Sequence, residues 1–403
     1  MLSILGLDMQ LLAMLAFLGC EHMLGRDLLE GTARKVLLMV VVLVFVVRML
    51  PTWASYGHGM HSAVRTKRTE GGQAPLLEWA SSEMQGWRQS MEDAHAVLCS
   101  MPDPLASQAL FAVFDGHGGS KVASVASNEL PKVVAAEASS LMNKAQAGSE
   151  DESGKVTASI IEKSLHLSML SLDAALRKGG AEGVSGGGGP SPPIDPWLRE
   201  AAGKSNNAFS LMGSTAIVAV LDCTDESKSV PRRLTVANCG DSRAVLCRRG
   251  QCIDLSEDHK PERPCEEDRI RRAGGHVVRA GVCHRIDGWG LNLSRALGDF
   301  HYKARDDLPP DQQKVIAVPE ILTLELTAED EFLVLGCDGI FELLSSQKVV
   351  DTVRKQFREG KSTTEVVEHL LDQACSRNLI QTRGRGGDNC SAIVVRFRRD
   401  SVE

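Results

Sequence analysis

Short apolar runs of four to seven residues recur along the chain from about Leu76 onward. Runs of this length, bounded by Gly, Asp or Asn, are typical of strands buried in a sheet. We therefore predict strands at Leu110–Phe114, Thr215–Leu221, Leu234–Asn238, Ala244–Cys247, Phe332–Gly336 and Ala392–Phe397.

Stretches with helical spacing lie between these runs. Lys155–Lys178 repeats apolar residues every three to four positions. Pro264–Ala273 begins with proline, carries acidic residues early and basic residues late, and is followed by two glycines, which is the usual start and stop chemistry of a helix. Ser362 and Glu365 form a capping-box pattern that opens a helix toward Arg377. Strands and helices are therefore expected within one globular domain.

The N-terminal part departs from this pattern. Val36–Val47 is an unbroken apolar run, and it extends to Trp53 with Arg48 as its single charge. A spanning helix needs about 20 mostly apolar residues, so we predict a single-pass membrane segment over about residues 36–53; a buried core segment is the alternative. A shorter apolar stretch, Leu11–Gly19, is open between a signal-like region, half of a hairpin and an interfacial helix.

Composition suggests the division of the chain. We predict a membrane-anchor region over residues 1–54, a basic linker over residues 55–75 and one globular domain over residues 76–399. Two low-complexity stretches, near residues 145–154 and 179–206, interrupt that domain, and the second contains GGGG and PSPP. Such sequences cannot form a packed core, so we predict surface loops there.

Charge and cysteine content narrow the class of protein. The net charge is −7, from 45 basic and 52 acidic residues, and nothing indicates nucleic acid as a partner. Eleven cysteines without a CxxC pair favour a reducing compartment over a zinc site or a disulfide scaffold. Sequons at Asn292 and Asn389 lie where a glycan would disturb the domain. We expect a monomer whose globular domain is cytosolic.

Acidic residues stand where apolar runs end or at nearby turns. They are Glu92, Asp93, Asp115, Asp241, Asp299, Asp338 and Asp388. A single Asp-Gly after a strand is usually only a turn. Several carboxylates that converge on one sheet edge need a compensating cation, and oxygen ligands alone select Mg²⁺ or Mn²⁺. Two such ions about 3.5–4 Å apart are widely used to hydrolyse phosphate esters.

Eight ordered motifs carry a family resemblance. They are Met84–His95, Phe114–Gly119, Gly213–Ala216, Asn238–Ala244, Asp258–Pro261, Leu293–Asp299, Cys337–Ile340 and Gly387–Asn389. In this order they resemble the metal-dependent protein phosphatases of the 2C type, over roughly Leu77 to Phe397. The stretch around Leu293–Asp299 is most similar to the eukaryotic branch with gamma-like and plant members, and we expect a membrane-anchored member.

The resemblance implies a fold and an activity. The fold is of the α+β class, a four-layer α-β-β-α sandwich in which two antiparallel sheets are flanked by helices and a dinuclear metal site lies at one end. The activity is hydrolysis of phosphoserine and phosphothreonine in phosphoprotein substrates by a metal-activated water. Two Mg²⁺ or Mn²⁺ ions per subunit are implied, and a weaker third ion is left open.

The resemblance also implies roles for individual residues. Asp115 bridges both metals, and the backbone carbonyl of Gly116 binds one of them. Further metal contacts come from Asp299, Asp338 and Asp388.

Acidic residues outside this set are assigned by the same resemblance. Glu92 and Asp93 hold metal-associated water. Asp241 lies near Asp299 and helps to form the weaker third site.

Two basic residues complete the implied site. Arg88 binds the substrate phosphate, for which a planar guanidinium with parallel donors is suited. His117 protonates the leaving serine or threonine oxygen, and its ordinary pKa near 6.5 suits that task. The alternatives without a catalytic role are a surface ion pair for Arg88 and a structural histidine bound to a carboxylate for His117.

Departures from the family pattern leave rival functions open. Phe341-Glu342 stand where Trp-Asp is usual, and Trp289 replaces a small residue; both affect substrate specificity rather than catalysis. One rival is an inactive, membrane-bound adaptor, although all the expected carboxylates are present. Another is a two-metal phosphoesterase for small molecules or nucleotides, against which the lack of a P-loop and of a basic groove argues.

Overall fold

The computed structural model describes residues 62–398 except 75, 148–155, 179–208, 210, 225–229, 282 and 289. The predicted anchor region and nearly all of both predicted insertions lie outside the described residues, as does Trp289. The chain divides into two units, Met1–Ser62 with Arg279–Cys283, and Ala63–Val278 with His284–Glu403. Little of the first unit is described; the sheets and helices that position the site belong to the second.

Sixteen strands lie in the described part of the chain. In chain order they are β1 (Val64–Ala74), β2 (Leu77–Gly86), β3 (Ala94–Leu98), β4 (Gln108–Phe114), β5 (Gly116–His117), β6 (Gly213–Ser214), β7 (Ala216–Asp222), β8 (Arg233–Cys239), β9 (Arg243–Arg248), β10 (Gln251–Asp254), β11 (Val277–Ala280), β12 (Cys283–Ile286), β13 (Leu297–Gly298), β14 (Glu320–Glu325), β15 (Asp330–Gly336) and β16 (Cys390–Phe397). All six strands predicted from the apolar runs are confirmed.

The helices occupy the connections between strands. They are α1 (Lys121–Ala147), α2 (Ala158–Arg177), α3 (Pro264–Arg272), α4 (Asp338–Phe341), α5 (Ser346–Arg358) and α6 (Thr363–Ala374), with 3₁₀ turns at Phe300–Lys303 and Pro310–Gln312. The capping box at Ser362 and Glu365 is confirmed. The helix that it opens ends at Ala374 rather than Arg377, because Cys375 is extended.

Two antiparallel sheets form the framework. The larger has the order β1-β2-β16-β15-β9-β10, and the smaller has the order β14-β8-β7-β4-β3. A three-stranded ribbon, β13-β6-β5, joins the chain around His117 to the chain around Asp299. The mixture of antiparallel sheets and helices agrees with the predicted α+β class.

Two clusters of buried apolar side chains hold the sheets and helices together. In one, Phe111 and Ile217 of the smaller sheet pack with Leu333 and Val395 of the larger sheet, together with residues of α5 and α6 such as Val366. In the other, α1 and α2 pack on the smaller sheet through residues that include Leu130, Leu165 and Phe114. Burial of these side chains, at about 25 cal/mol per Å² of apolar surface, is the main stabilising contribution to the fold.

The predicted basic linker is wrong for residues 64–74. These residues form β1, the edge strand of the larger sheet, which pairs with β2 from Ala74–Leu77 back to Val64–Gly86. Its side chains alternate between exposed and half-buried, so its charges occupy one face of a strand rather than a loop. Charged residues on an edge strand discourage pairing with a second chain.

The predicted membrane topology is also corrected. Within the described parts of residues 62–398, no helix combines the length and the apolar character that crossing a bilayer requires. The single-pass assignment therefore has no support in the described residues, and its segment, residues 36–53, lies outside them.

Candidate metal centre

Three acidic side chains lie at strand ends of both large sheets. Asp115 follows β4 directly, Asp338 opens α4 after β15, and Asp388 precedes β16. Because β15 and β16 pair with Gly336 opposite Ala392, the end of one strand meets the start of the other. The sheet register therefore sets Asp338 and Asp388 side by side, and both act electrostatically on Asp115.

These carboxylates repel one another. Burial raises the pKa of Asp115 well above its ordinary value, and the charges of Asp93, Asp338, Asp388 and Asp241 raise it further. Burial, followed by the charges of Asp241 and Asp388, raises the pKa of Asp338 in the same way. The cluster therefore favours either bound protons or a bound cation.

Asp93 is the most isolated member of the cluster. It is 8% exposed, and neither carboxylate oxygen has a hydrogen-bond partner in the described part of the chain. Burial and the charge of Asp388 raise its pKa to about 7, against the opposing effect of the nearby Ser391 and Cys337 side chains. Ligand atoms of Asp93, Asp115 and Cys337 lie within 4.8 Å of one another. A buried carboxylate without a partner is costly, so its oxygens are available to a cation or to ordered water.

Cys337 lies beside these carboxylates but, unlike them, is a neutral group. Burial raises the pKa of its thiol well above the ordinary value. Its Sγ accepts a hydrogen bond from the backbone N–H of Ser391 at 3.1 Å and donates one to the carbonyl of Asn389 at 3.4 Å. The thiol is thus held in the structure as a neutral group, and the anionic donors of the site are carboxylate oxygens.

Arg88 reaches the cluster from the loop after β2. One guanidinium nitrogen lies 2.5 Å from Oδ2 of Asp388, and the side chain is 60% exposed. The loop is held by the buried side chain of Asn389, which donates to the carbonyls of Gln85 at 2.8 Å and Ser90 at 3.0 Å. The guanidinium is therefore both anchored at the cluster and open to solvent. The surface ion pair considered for Arg88 is present, but its acidic partner belongs to the carboxylate cluster.

Glu92 is held by backbone contacts at the same place. Its N–H donates to Oδ1 of Asn389 at 2.9 Å, and its Oε2 accepts from the N–H of Gly119 at 3.1 Å. A Cβ on Gly116 would lie 2.1 Å from the carbonyl oxygen of Glu92. Only glycine therefore allows β5 to pass so close to the chain at Glu92.

His117 pairs with Asp299 across the ribbon. Its Nε2 lies 2.6 Å from Oδ2 of Asp299, which is 2% exposed. Burial would lower the pKa of His117, but the charge of Asp299 and its hydrogen bond outweigh burial, and the pKa is raised. Asp299 has a left-handed backbone with φ of 51°, and its N–H donates to the carbonyl of Met212 at 2.8 Å. The alternative considered for His117, a histidine bound to a carboxylate, is therefore present, and its acidic partner belongs to the carboxylate cluster.

Asp241 has a basic partner that sequence reasoning missed. Oδ2 of this buried carboxylate accepts a short hydrogen bond from Nζ of Lys260. Lys260 lies in the motif Asp258–Pro261, in which the neighbouring His259 is expected only to order a loop. That histidine is fully buried, and its Nδ1 accepts from the N–H of Gly240 at 3.1 Å, which agrees with the ordering of a loop. All ten predicted site residues are thus near one another or joined in pairs at this end of the sheets.

A comparison with protein families gives the assignment. The family model for protein phosphatase 2C matches residues 77–182 and 194–382. The chain belongs to the protein phosphatase 2C family. Its function is therefore that of a protein phosphatase of this family, and the wider group of two-metal phosphoesterases for nucleotides is set aside.

Individual relatives extend this result. Probable protein phosphatase 2C 58 of rice, Oryza sativa subsp. japonica, is 36% identical over 354 residues, which cover 83% of this chain and 87% of the relative. Protein phosphatase 2C 1 of Paramecium tetraurelia is 36% identical over 339 residues, which cover 83% of this chain and 97% of the relative. A phosphatase structure from Toxoplasma gondii superposes with a TM-score of 0.59 at 26% identity, covering 84% of this chain and 97% of that one.

Proposed function

We propose that this protein phosphatase hydrolyses phosphoserine and phosphothreonine in proteins with the help of Mg²⁺ or Mn²⁺. The observation that carries the proposal is Asp93, whose two buried carboxylate oxygens accept no hydrogen bond from the described residues and lie beside Asp115. Mutually repelling carboxylates, with no histidine or thiolate among the donors, fit a hard divalent cation. The residues present therefore suit the metal that the family implies.

Specific residues would hold the ions. We assign Asp115, the carbonyl of Gly116, Asp338 and Asp388 to direct contacts with two ions. In the same proposal the chain is a four-layer sandwich with this dinuclear site at one end. The packing of α1 and α2 on the smaller sheet and of α5 and α6 on the larger supports that arrangement.

The remaining acidic residues have supporting positions. Glu92 and Asp93 hold metal-associated water, and Glu92 is oriented for this by the N–H of Gly119. Asp299 and Asp241 form the weaker third position, where Lys260 at present neutralises Asp241. When bound by these carboxylates, two divalent cations would lower the pKa of a nearby water, which would make it a nucleophile at neutral pH.

The basic side chains act on the substrate. Arg88 is exposed and tethered to Asp388 by one nitrogen, which leaves its other donors free to bind two phosphate oxygens. The contact of His117 Nε2 with Asp299 stabilises the protonated ring, and we assign this imidazolium as the proton donor to the leaving oxygen of serine or threonine. Such an alkoxide is a poor leaving group, so a proton donor is needed there.

An assay with two substrates tests the proposal. Purified chain is stripped with EDTA and supplied with a phosphothreonine peptide or p-nitrophenyl phosphate, with and without Mn²⁺ or Mg²⁺. We expect turnover of both substrates only after a divalent cation is added. Equal turnover in EDTA, or none in any condition, would contradict the proposal. A matched phosphotyrosine peptide tests the preference for serine and threonine.

A further inference from the structure

A run of exposed arginines lies on the chain just before Asp388. The segment over residues 377–385, which we call the basic loop, contains Arg377, Arg383 and Arg385, all of them exposed. Asp388 follows three residues later and binds Arg88, the proposed phosphate ligand. Three residues span at most about 11 Å, so the basic loop ends within that distance of Asp388. Its start lies at the same place, because the N–H of Ser376, next to Arg377, donates to the carbonyl of Gly386 at 2.8 Å.

Direct contacts confirm this proximity. The guanidinium of Arg385 donates to the carbonyl oxygen of Glu342, and the N–H of Gly386 donates to Oε2 of the same residue at 2.8 Å. The Glu342 carboxylate in turn interacts electrostatically with Asp388, Arg88 and Arg385. Glu342 is therefore a shared neighbour of the basic loop and of the phosphate-binding arginine.

The loop is ordered by its own hydrogen bonds. The N–H of Gly384 donates to the carbonyl of Leu379 at 2.7 Å, and Oγ1 of Thr382 donates to the carbonyl of Arg385 at 2.6 Å. Oδ1 of Asn378 accepts from the N–H of Ile380 at 3.0 Å. The arginine side chains are thus presented from a fixed backbone, which reduces the entropy lost when they bind a partner.

These arginines carry uncompensated charge. Within the described ranges of the chain, neither Arg377 nor Arg383 has a carboxylate within 4.0 Å, whereas many other arginines do, such as Arg243, Arg248 and Arg354. The protein as a whole has a net charge of −7. A local positive surface at the edge of the site, on an acidic protein, fits an acidic partner.

We propose that the basic loop selects phosphoprotein substrates with acidic residues close to the phosphorylated residue. The inference rests on the proposed function, since it assumes that the phosphate binds at Arg88. A substrate chain that leaves the site past the loop would set Asp or Glu side chains within about three residues of the phosphothreonine against Arg377 and Arg383.

Matched phosphopeptides test this selection. Three peptides share one phosphothreonine and carry acidic residues on its N-terminal side, on its C-terminal side, or glutamines on both sides. We expect kcat/KM to be about twofold to thirtyfold higher for one acidic peptide than for the neutral one, mainly through KM, as one or two exposed charge pairs allow. The preference should shrink when NaCl is raised to about 0.5 M, because the charges are exposed.

Variants assign the effect to the loop. The double variant Arg377→Gln with Arg383→Gln should bring the ratio of kcat/KM between acidic and neutral peptides close to one. The control Arg358→Gln removes an equally exposed arginine at the end of α5 and should keep the wild-type ratio. If the double variant is unstable, the salt dependence of the wild-type ratio still decides.

The outcomes separate this inference from the proposed function. Hydrolysis of all three peptides at equal efficiency, or a preference that the double variant and salt leave unchanged, overturns the inference and leaves the phosphatase assignment intact. No hydrolysis of any peptide with Mn²⁺ present overturns the proposed function and the inference with it.

Discussion

Gly213 lies against both members of the His117–Asp299 pair. A Cβ at this position would lie 2.1 Å from Oδ2 of Asp299 and 2.4 Å from Nε2 of His117. The residue therefore leaves room for a hydrogen bond that two distant parts of the chain make. Its sequence neighbours do not reveal this, because the contact arises only when β6 pairs with both β5 and β13.

Replacement of His117 tests its role as proton donor. In His117→Ala, hydrolysis of a phosphothreonine peptide should fall by about 10²- to 10⁴-fold, the usual contribution of a positioned general acid. Hydrolysis of p-nitrophenyl phosphate should fall much less, because p-nitrophenolate leaves without protonation. Steady-state kinetics on both substrates with saturating Mn²⁺ measure the difference. Equal losses would remove His117 from this role.

Helix α3 supports the segment that ends at Asp299. Glu266 of α3 is 1% exposed and accepts hydrogen bonds from Arg295 at 2.7 Å, Arg269 at 2.6 Å and Ser294 at 2.6 Å. Burial alone would raise the pKa of Glu266, but the hydrogen bonds and charges of the two arginines lower it to about 2. The Glu266 carboxylate thus links α3 to Ser294 and Arg295, in the segment that leads to Asp299.

Removal of that charge should loosen the segment. Glu266→Gln leaves buried Arg269 without its acidic partner and Arg295 with Glu320 alone, and we expect the free energy of unfolding to fall by about 3–5 kcal/mol. The lowered pKa means that the stabilisation is present above the ordinary pKa of 4.5 and is lost as pH falls toward about 2. Urea unfolding of wild type and variant at pH values between about 3 and 7 measures both effects. A variant as stable as wild type at neutral pH would contradict this account.

Strand β1 shows the limit of pattern reasoning for an element. Its sequence, VRTKRTEGGQA, has no apolar alternation, and charge and glycine content predict a linker. It is a strand because β2 supplies hydrogen-bond partners and α6 packs near it. The runs in β4, β15 and β16 were predictable because both faces are buried, which requires continuous apolar sequence.

The same contrast holds for the whole molecule. The convergence of acidic residues was predictable from their positions at strand ends. The pairing of Lys260 with Asp241 and the anchoring of the Arg88 loop by Asn389 were not, since both depend on tertiary proximity, the second across about 300 residues of chain. Family membership follows from motif order, whereas the membrane segment rested on one apolar run and its flanking residues and has no support in the described residues.

The charge cluster predicts how the metal-free protein responds to pH. The pKa of Asp93 is about 7 in the folded protein against an ordinary value of 3.8, so the folded state binds this proton more tightly. The free energy of unfolding should therefore fall as pH rises from about 4 to about 7, and the raised pKa of His117 acts in the same direction. In EDTA, the thermal midpoint should be lower at about pH 8 than at about pH 5.5.

Two controls accompany this measurement. Mn²⁺ at the higher pH should raise the midpoint, because a cation replaces the lost protons. Asp93→Asn should flatten the pH dependence in EDTA, since it removes the titrating group. A midpoint that rises with pH in EDTA would show that the carboxylates do not repel one another in the folded protein.

Uptake of metal by the purified protein tests the central claim most directly. Calorimetric titration of Mn²⁺ into the EDTA-treated and dialysed chain at about pH 7.5 should show about two ions bound per chain, as a dinuclear site requires. Asp115→Asn should weaken this binding strongly while it keeps the wild-type circular dichroism spectrum. If the wild-type chain binds no Mn²⁺ or Mg²⁺, or if Asp115→Asn binds as wild type does, the carboxylate cluster is not a metal centre.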